Sequence, residues 1–353
     1  MESSRKSGLF APDEVVVSSG QSARITSAAV VDAPYPPAQR EGVLRPRPLL
    51  GYALVWAAVA VWSLNATVMK VVLGATGISA YRFSELRLTG AAVLLFAAIA
   101  LIRPASLRVT RRELPFLAVL GVCGLAWGQL LYVISIDRLA IGVALIIIYL
   151  SPVLVALWAR FVAKEIVRRR LWAAIGLSLG GLALVVEVWS GITLDPLGLA
   201  AALLTALTFV AWILMGDRGL REGRDAFSLL AWGLLFGSVF WAVVQPWSHF
   251  PAEILSRDVS LLGRLDDTTA PVWLLVAYVI VFGTIIPFGF LLAALKYIAP
   301  TRVAIVATLE PVGAALVAFA WLGEELSAVQ LAGGLLVLAG VGLAQTARAS
   351  PRS

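Results

Sequence analysis

The sequence predicts an all-α membrane protein in which ten transmembrane helices form two inverted five-helix repeats. Three observations lead to this fold class. Apolar runs recur along the chain, Lys and Arg concentrate in alternate loops, and one segment of the first half is repeated in the second. Each run holds about 20 residues, which is the length that a helix needs to cross roughly 30 Å of hydrocarbon.

The composition excludes an ordinary soluble domain. Of the 353 residues, 60% are hydrophobic and 14% are charged, and the mean hydropathy is +0.91. Soluble domains are only about 45–50% apolar. The net charge of +7 comes from basic residues that lie between the apolar runs. We therefore interpret these residues as topology signals, and we expect no binding of nucleic acid.

Only helices and closed barrels satisfy their backbone hydrogen bonds within lipid, and uninterrupted apolar runs without period-two alternation indicate helices. The ten predicted helices cover residues 49–73, 79–102, 114–135, 140–163, 171–189, 196–216, 226–246, 272–295, 300–322 and 327–346.

Four segments follow from these runs. Residues 1–48 are rich in Ser, Ala, Pro and Arg and show no period, so we expect a disordered cytoplasmic tail. The two five-helix repeats are predicted at 49–189 and 196–347, and residues 348–353 form a cytoplasmic tail. We expect no signal peptide, because the first apolar run begins near Leu49 and is long enough to span.

The basic residues predict the orientation. The two tails and alternate loops contain 21 of the 28 Lys and Arg, whereas the intervening loops contain only Arg138, Arg257 and Arg264. This bias follows the positive-inside rule if both termini are cytoplasmic and the number of spans is even. We expect the inner cell membrane as the location.

The repeat relates residues 149–165 to residues 308–324 in the fourth helix of each half. A tandem copy of five helices inserts upside down, because an odd number of spans reverses the side on which it begins. Inverted repeats are typical of secondary transporters, which bind solute near the bilayer midplane between the halves. Chance similarity of apolar sequence is the alternative. The identical pairs are Leu150/Leu309, Pro152/Pro311, Val153/Val312, Ala156/Ala315, Leu157/Leu316, Ala159/Ala318 and Glu165/Glu324.

Short motifs follow one another in order along the two units. They are Trp62-x-x-Asn65 with Lys70, Glu85-x-Arg87, and Ser151-Pro152 or Glu310-Pro311 ahead of Glu165 or Glu324. With them, residues 50–347 resemble the EamA-type domain of the drug/metabolite transporter superfamily. The resemblance implies a ten-helix inner-membrane carrier, often an exporter of amino acids or other metabolites, driven by an ion or substrate gradient. The first half departs from the second in having Ser151 where the second has Glu310.

Glu310 is the main candidate for a coupling residue. It lies about ten residues into its predicted helix, roughly 15 Å from the end, where a charged group needs a cavity or a partner. Pro311 removes a backbone donor and frees the carbonyl of Ala307, which is a further candidate for lining a solute or ion site. The alternatives are a structural hydrogen bond between helices and a carboxyl that faces water.

Four charged residues flank the loop between the first two predicted helices, namely Lys70, Arg82, Glu85 and Arg87. Arg82 and Glu85 lie on one helix face, so Glu85 is expected to neutralise one of the cations. The remaining positive charge would attract a carboxylate or another anion. A fixed ion-pair cluster that joins the first two helices is the alternative.

Neutral polar and aromatic side chains also lie within the predicted spans. Asn65 and Gln129 are polar, whereas Trp62, Tyr149 and Trp212 are candidates for lining a cavity for a planar or amphipathic solute, with ordinary packing as the alternative. The motif of Gly176 and Gly180 is expected to allow close helix contact.

These observations predict a secondary transporter of an amino acid-like or amphipathic solute that works by alternating access and exports it, coupled to protons or to exchange. A channel, a receptor or scaffold without transport, and an enzyme acting on lipid-linked substrates are the alternatives. One Cys and one His leave little for catalysis or metal binding, so no cofactor and no metal are expected. The oligomeric state stays open, with a homodimer as one option.

Overall fold

The computed structural model describes residues 47–139, 144, 147–185, 187, 189, 195–323, 325 and 327–346. The predicted tails lie outside these residues, apart from Arg47 and Pro48. Glu324, which matches Glu165 in the repeat, also lies outside them.

Helices dominate the described part of the chain. In the first half they are α1 Pro48–Thr76, α2 Ala80–Ile102, α3 Leu114–Val119, α4 Trp127–Arg138, α5 Ser151–Phe161 and α6 Arg169–Val185. In the second half they are α7 Pro196–Arg221, α8 Ala226–Val244, α9 Val272–Ile280, α10 Ile286–Ala294, α11 Pro300–Ala307, α12 Glu310–Val317 and α13 Ala328–Thr346.

Seven helical stretches in this part of the chain are long and apolar enough to cross a membrane, so the protein is a multi-pass helical membrane protein. The other predicted spans correspond to the shorter apolar helices α5 and α13 and to the 17-residue helix α6. Parts of the predicted spans 140–163 and 171–189 lie outside the described residues. The seven stretches are Pro48–Thr76, Tyr81–Ile102, Leu114–Tyr132, Pro196–Arg221, Ala226–Val244, Val272–Ala294 and Pro300–Leu322.

Three of these stretches contain π-helical turns, which often occur at functional sites. Leu120–Ala126 joins α3 to α4, Val281–Ile285 joins α9 to α10, and Ala318–Leu322 follows α12. The predicted helix 300–322 is also interrupted, since α11 ends at Ala307 and α12 begins at Glu310. Pro311 has no N–H to continue the ladder, which accounts for the break at this position.

The helices of the two halves pack mainly against each other. α1 contacts α10, α11 and α12, α2 contacts α8, α4 contacts α7, and α6 contacts α13. Because each of these contacts joins one half to the other, the core lies along the interface between the halves. The buried indole rings of Trp212 and Trp241 and the side chains of Leu182 and Leu234 are part of this core.

The close contact between α6 and α13 does not use the glycines that the sequence suggested. A Cβ at Gly176 or Gly180 would meet open space, whereas one at Gly181 would clash with the backbone of Gly333. The expectation for Gly176 and Gly180 was therefore wrong. Spacing alone does not tell which face of α6 meets its neighbour.

The all-α prediction missed a short antiparallel hairpin between α8 and α9. Strands β1 Asp258–Ser260 and β2 Thr269–Pro271 pair there. Val259 packs into an apolar cluster with Val72 of α1 and Val276 of α9, which holds the hairpin on the end of the bundle. We call this end of the bundle the hairpin end.

Candidate functional site

Glu310 is held by two residues of the first half of the chain. The Tyr149 hydroxyl donates a hydrogen bond of 2.7 Å to Glu310 Oε2. Ser63 Oγ, on α1, lies 3.3 Å from the backbone carbonyl oxygen of Glu310 and 2.8 Å from that of Val59, to which it also donates. Both the carboxyl group and the backbone at the start of α12 are therefore positioned by the opposite half.

Glycine allows α12 to approach α1 closely at this point. A Cβ at Gly313, one turn after Glu310, would overlap with Ser63 Oγ. Small residues at such positions let membrane helices pack backbone against side chain. Gly313 thus keeps Ser63 within reach of the Glu310 carbonyl.

A second close contact joins α1 to the π-helical turn Val281–Ile285. Trp62 Nε1 donates a hydrogen bond of 3.1 Å to the carbonyl oxygen of Gly283, and a Cβ at Gly283 would overlap with the amide of Asn65. Asn65 Nδ2 lies 3.4 Å from Met69 Sδ. Asn65 Oδ1 is buried, and within the described residues it has no hydrogen-bond partner. Sequence analysis did not identify Gly283 or Met69.

Aromatic rings bridge the two halves beside this contact. Phe288 of α10 makes edge-to-face contacts with Trp62 and Trp212, with centroid distances of 5.1 and 5.2 Å, and Phe209 stacks on Trp212. Trp212 is only 1% exposed, so in this conformation it packs in the core and does not line an accessible cavity. Phe288 is a further residue that sequence analysis missed.

The structure divides the predicted charged cluster. Arg82 Nη1 lies 2.9 Å from Glu85 Oε2, and it also donates to the carbonyl oxygen of Pro246. Lys70 is exposed near the hairpin end of α1. Arg87 lies apart from this pair, is 6% exposed, and approaches Met69 Sδ with Nη1 at 3.8 Å. Arg82 and Glu85 therefore form one ion pair, and Arg87 is a separate buried cation.

Tyr132 of α4 lies within electrostatic range of both charged residues of the interior, Arg87 and Glu310. Gln129, one turn earlier on α4, is half-buried, and its side chain makes no hydrogen bond to any described residue. The structure thus brings Arg87, Tyr132 and Glu310 into one region and leaves Gln129 at its edge.

Two ion pairs lie at the end of the bundle opposite the hairpin, one between loops and one within α7. Arg224 Nη2 lies 2.7 Å from Glu113 Oε2, and Arg221 Nε lies 2.9 Å from Asp217 Oδ2. The hydrogen bond from Arg224, followed by one from the Thr110 backbone N–H, lowers the pKa of Glu113 to about 2. A cavity of about 210 Å³ borders Arg221, Arg224 and Lys296. Because the cations have carboxylate partners, we interpret this region as a loop-fastening network.

No group of three or more His, Cys, Asp or Glu side chains that could hold a metal ion occurs in the described part of the chain.

The sequence is similar to known membrane transporters. A model of the EamA-like transporter family matches residues 49–187 and again residues 196–346. A "probable amino-acid metabolite efflux pump" of Salmonella typhimurium is 26% identical over 82% of this chain and 92% of its own length. An "uncharacterized transporter" of Archaeoglobus fulgidus is 27% identical over 60% of this chain and 69% of its own.

The fold also matches a solved crystal structure. The TM-score is 0.65 at 17% identity, and the match covers 83% of this chain and 96% of the other. At this identity the likeness concerns the fold alone.

Proposed function

The chain belongs to the EamA-like transporter family, and we propose that it exports a small amino acid-like or amphipathic metabolite by alternating access between two inverted repeats. The family makes the protein a membrane transporter of small solutes. The repeats, the export direction, the solute class and the coupling are what we propose beyond that.

One observation carries the proposal, namely that the helix contacts are symmetric when the two halves are exchanged. If residues 49–189 and 196–347 are equivalent five-helix units, the third predicted span, which contains α4, corresponds to the eighth, which contains α10. The sixth predicted span, α7, corresponds in the same way to the first, α1. The contact of α4 with α7 then has its counterpart in the contact of α10 with α1. The contact of α2 with α8 and the contact of α6 with α13 each map onto themselves when the halves are exchanged. Rocking of such halves around a central site is the usual basis of alternating access.

The irregular turns of the two halves follow the same relation. Gly124, in the first π-helical turn, is covered by Trp212, as Gly283 is by Trp62 and Asn65. The two glycines are separated by 159 positions, which is also the shift between residues 149–165 and 308–324. The two matches to the family model support the same division.

Glu310 is the residue that we propose for coupling. Its carboxyl is only partly buried, and it lies at a helix break on the interface between the halves. Ionised, it accepts a hydrogen bond from the Tyr149 hydroxyl, and protonated, it gains an O–H donor of its own. A change of its charge would therefore alter a contact between the halves, as either proton coupling or exchange of a charged solute requires.

We base the proposed orientation on the distribution of Lys and Arg among the loops, and the proposed solute on the similarity to a named relative. The loops with most Lys and Arg lie at the end of the bundle opposite the hairpin, so we propose that this end and both termini are cytoplasmic and that the protein lies in the inner cell membrane. The name of the Salmonella typhimurium relative supports export of an amino acid or a related metabolite.

Transport by purified protein in liposomes tests the proposal. The panel is amino acids, amines, nucleosides and aromatic drugs, each with and without an imposed pH gradient. A carrier gives saturable flux of one class and counterflow from preloaded vesicles, whereas a channel gives flux without counterflow. Absence of flux for every class, with the protein folded and inserted, would contradict transport and favour a receptor or scaffold.

A further inference from the structure

We propose that Arg87 and Asn65 bind the head group of the solute, with the Arg87 guanidinium on a carboxylate and Asn65 Oδ1 on the adjacent amino group. This inference rests on the proposed function and specifies the solute class, because an amine or an amide would leave Arg87 without its anion.

Arg87 is a buried cation without an anion among the described residues. It is 6% exposed and lies in the second turn of α2, and its Nε has no hydrogen-bond partner within the described part of the chain. Among the described residues, the one close polar contact of its guanidinium is Met69 Sδ at 3.8 Å, and a thioether sulfur is a weak acceptor. An ionised group at membrane depth is costly unless it is paired or reaches water. A guanidinium in this position therefore favours an anion from outside the chain.

Each of the two nearby carboxylates has a partner other than Arg87 through one of its oxygens. Glu85 is paired with Arg82, and residues two apart on a helix, such as Glu85 and Arg87, do not face each other. Glu310 accepts the hydrogen bond of Tyr149, and Tyr132 interacts with both Glu310 and Arg87. Neither carboxylate is thus paired with Arg87, and its guanidinium is left for an anion from outside the chain.

Asn65 supplies the complementary unpartnered atom. Met69 Sδ is the neighbour that Arg87 and Asn65 share, at 3.8 Å from Arg87 Nη1 and 3.4 Å from Asn65 Nδ2. These two nitrogens are therefore no more than about 7 Å apart. Asn65 Oδ1 is a buried acceptor with no partner among the described residues, whereas Arg87 Nε is a buried donor in the same state. Both atoms are closed to solvent in this conformation, so a solute would reach them in another conformation of the transport cycle. One ligand would satisfy both atoms there if it carries an acceptor beside a donor.

An α-amino acid has this arrangement. Its carboxylate accepts two parallel hydrogen bonds from a guanidinium, which is the geometry that arginine binds best. Its ammonium group donates to an amide oxygen such as Asn65 Oδ1. Trp62 lies one turn before Asn65 on α1 and donates a hydrogen bond to the carbonyl oxygen of Gly283. This bond holds that part of α1 against the π-helical turn Val281–Ile285.

The test compares acids with their amides in proteoliposomes. L-leucine, L-phenylalanine, L-threonine and L-lysine are each measured beside the corresponding amide, which retains the amino group and lacks the carboxylate. We expect saturable flux of at least one free acid and a flux of its amide at least tenfold lower. Equal flux of acid and amide by the wild type would overturn the inference while transport itself stands. Absence of flux for all four acids, with flux of another solute class, would overturn this inference while transport itself stands. Absence of flux for every class, including amines, nucleosides and aromatic drugs, would overturn the proposed function and this inference with it.

Variants separate binding from a structural role. In Arg87→Gln we expect loss of saturable flux of the acid and a melting temperature no lower than that of the wild type, because the substitution removes an unpaired buried charge. Arg87→Lys keeps the charge but lacks the two parallel N–H donors of the guanidinium, so the acid should be carried with a KM raised about tenfold. Arg160→Gln, at an exposed arginine of α5, is the control of equal charge change and should retain the preference for the acid. Retention of that preference in Arg87→Gln would contradict the assignment.

Discussion

The Tyr149 hydroxyl lies 2.7 Å from Glu310 Oε2, so one hydrogen bond joins residues 161 positions apart in the chain. Tyr149 directly precedes the turn into α5 in the first half, and Glu310 begins α12 in the second. The carboxyl that we propose for coupling is therefore part of the contact between the halves. A change in its protonation or its partner acts on the surface across which the halves would move.

Replacement of Trp62 by Phe should weaken the contact between α1 and the π-helical turn. The change removes the hydrogen bond to Gly283 and keeps a ring against Phe288. Hydrogen bonds between membrane helices contribute about 0.6 kcal/mol on average, so we expect a loss of this order in the free energy of unfolding in SDS titration. Trp212→Phe removes the same ring area without this bond, and an equal loss in both variants would contradict the role of the hydrogen bond.

Gly283→Ala should destabilise the protein more than Gly176→Ala. A Cβ at Gly283 would overlap with Asn65, whereas Gly176 faces open space. Overpacking typically costs about 1–3 kcal/mol, and the added methyl would also displace the Asn65 amide. The free energies of unfolding of the two variants provide the comparison. Equal stability would show that α1 and the turn are not in close contact.

The orientation can be read from chemical labelling. Cys123 is exposed, so it is first replaced by Ser. In this background, Asp267→Cys in the hairpin loop should react with a membrane-impermeant maleimide in intact cells. Arg111→Cys, in the loop between α2 and α3, should react only after permeabilisation. The reverse pattern would place the termini outside.

The pair of Glu113 and Arg224 should show a pH dependence with a defined sign. The pKa of Glu113 is about 2, below its ordinary value of 4.5, so the pair stabilises the folded state above about pH 4.5 and loses this contribution as the pH falls toward 2. The Glu113 side chain is 38% exposed, so the contribution is at most about 1 kcal/mol.

Thermal unfolding of wild type and Arg224→Gln in detergent measures this contribution. The difference between the two melting temperatures should be constant at neutral pH and shrink below about pH 4.5. In a Glu113→Gln background, Arg224→Gln should have little further effect. A difference that does not change with pH would exclude the pair as its source.

Apolar patterning was sufficient to predict the helical membrane fold, because length and continuity of an apolar run are properties of the sequence alone. The break before Glu310 was not predicted, because the apolar run 300–322 is continuous in the sequence, although Pro311 and its missing N–H account for it. The hairpin at Asp258–Ser260 was missed because its stability depends on packing against α1 and α9.

The site could be predicted only in part, because side-chain partners depend on which helices meet. Arg82, Glu85 and Arg87 formed one cluster in the sequence, whereas the helix geometry turns Arg87 toward Met69 and away from the other two. Gly283 carries no chemical group that would single it out, and its importance arises from Asn65 and Trp62 on another helix.

Solute flux into proteoliposomes with an imposed pH gradient, measured for wild type and Glu310→Gln, tests the central claim most directly. Gln cannot ionise, but its amide oxygen can still accept the hydrogen bond from Tyr149, so the variant should remain folded. We predict gradient-driven accumulation in the wild type, and in the variant only flux that equilibrates the solute. Accumulation by Glu310→Gln equal to that of the wild type would contradict the role of Glu310 in coupling.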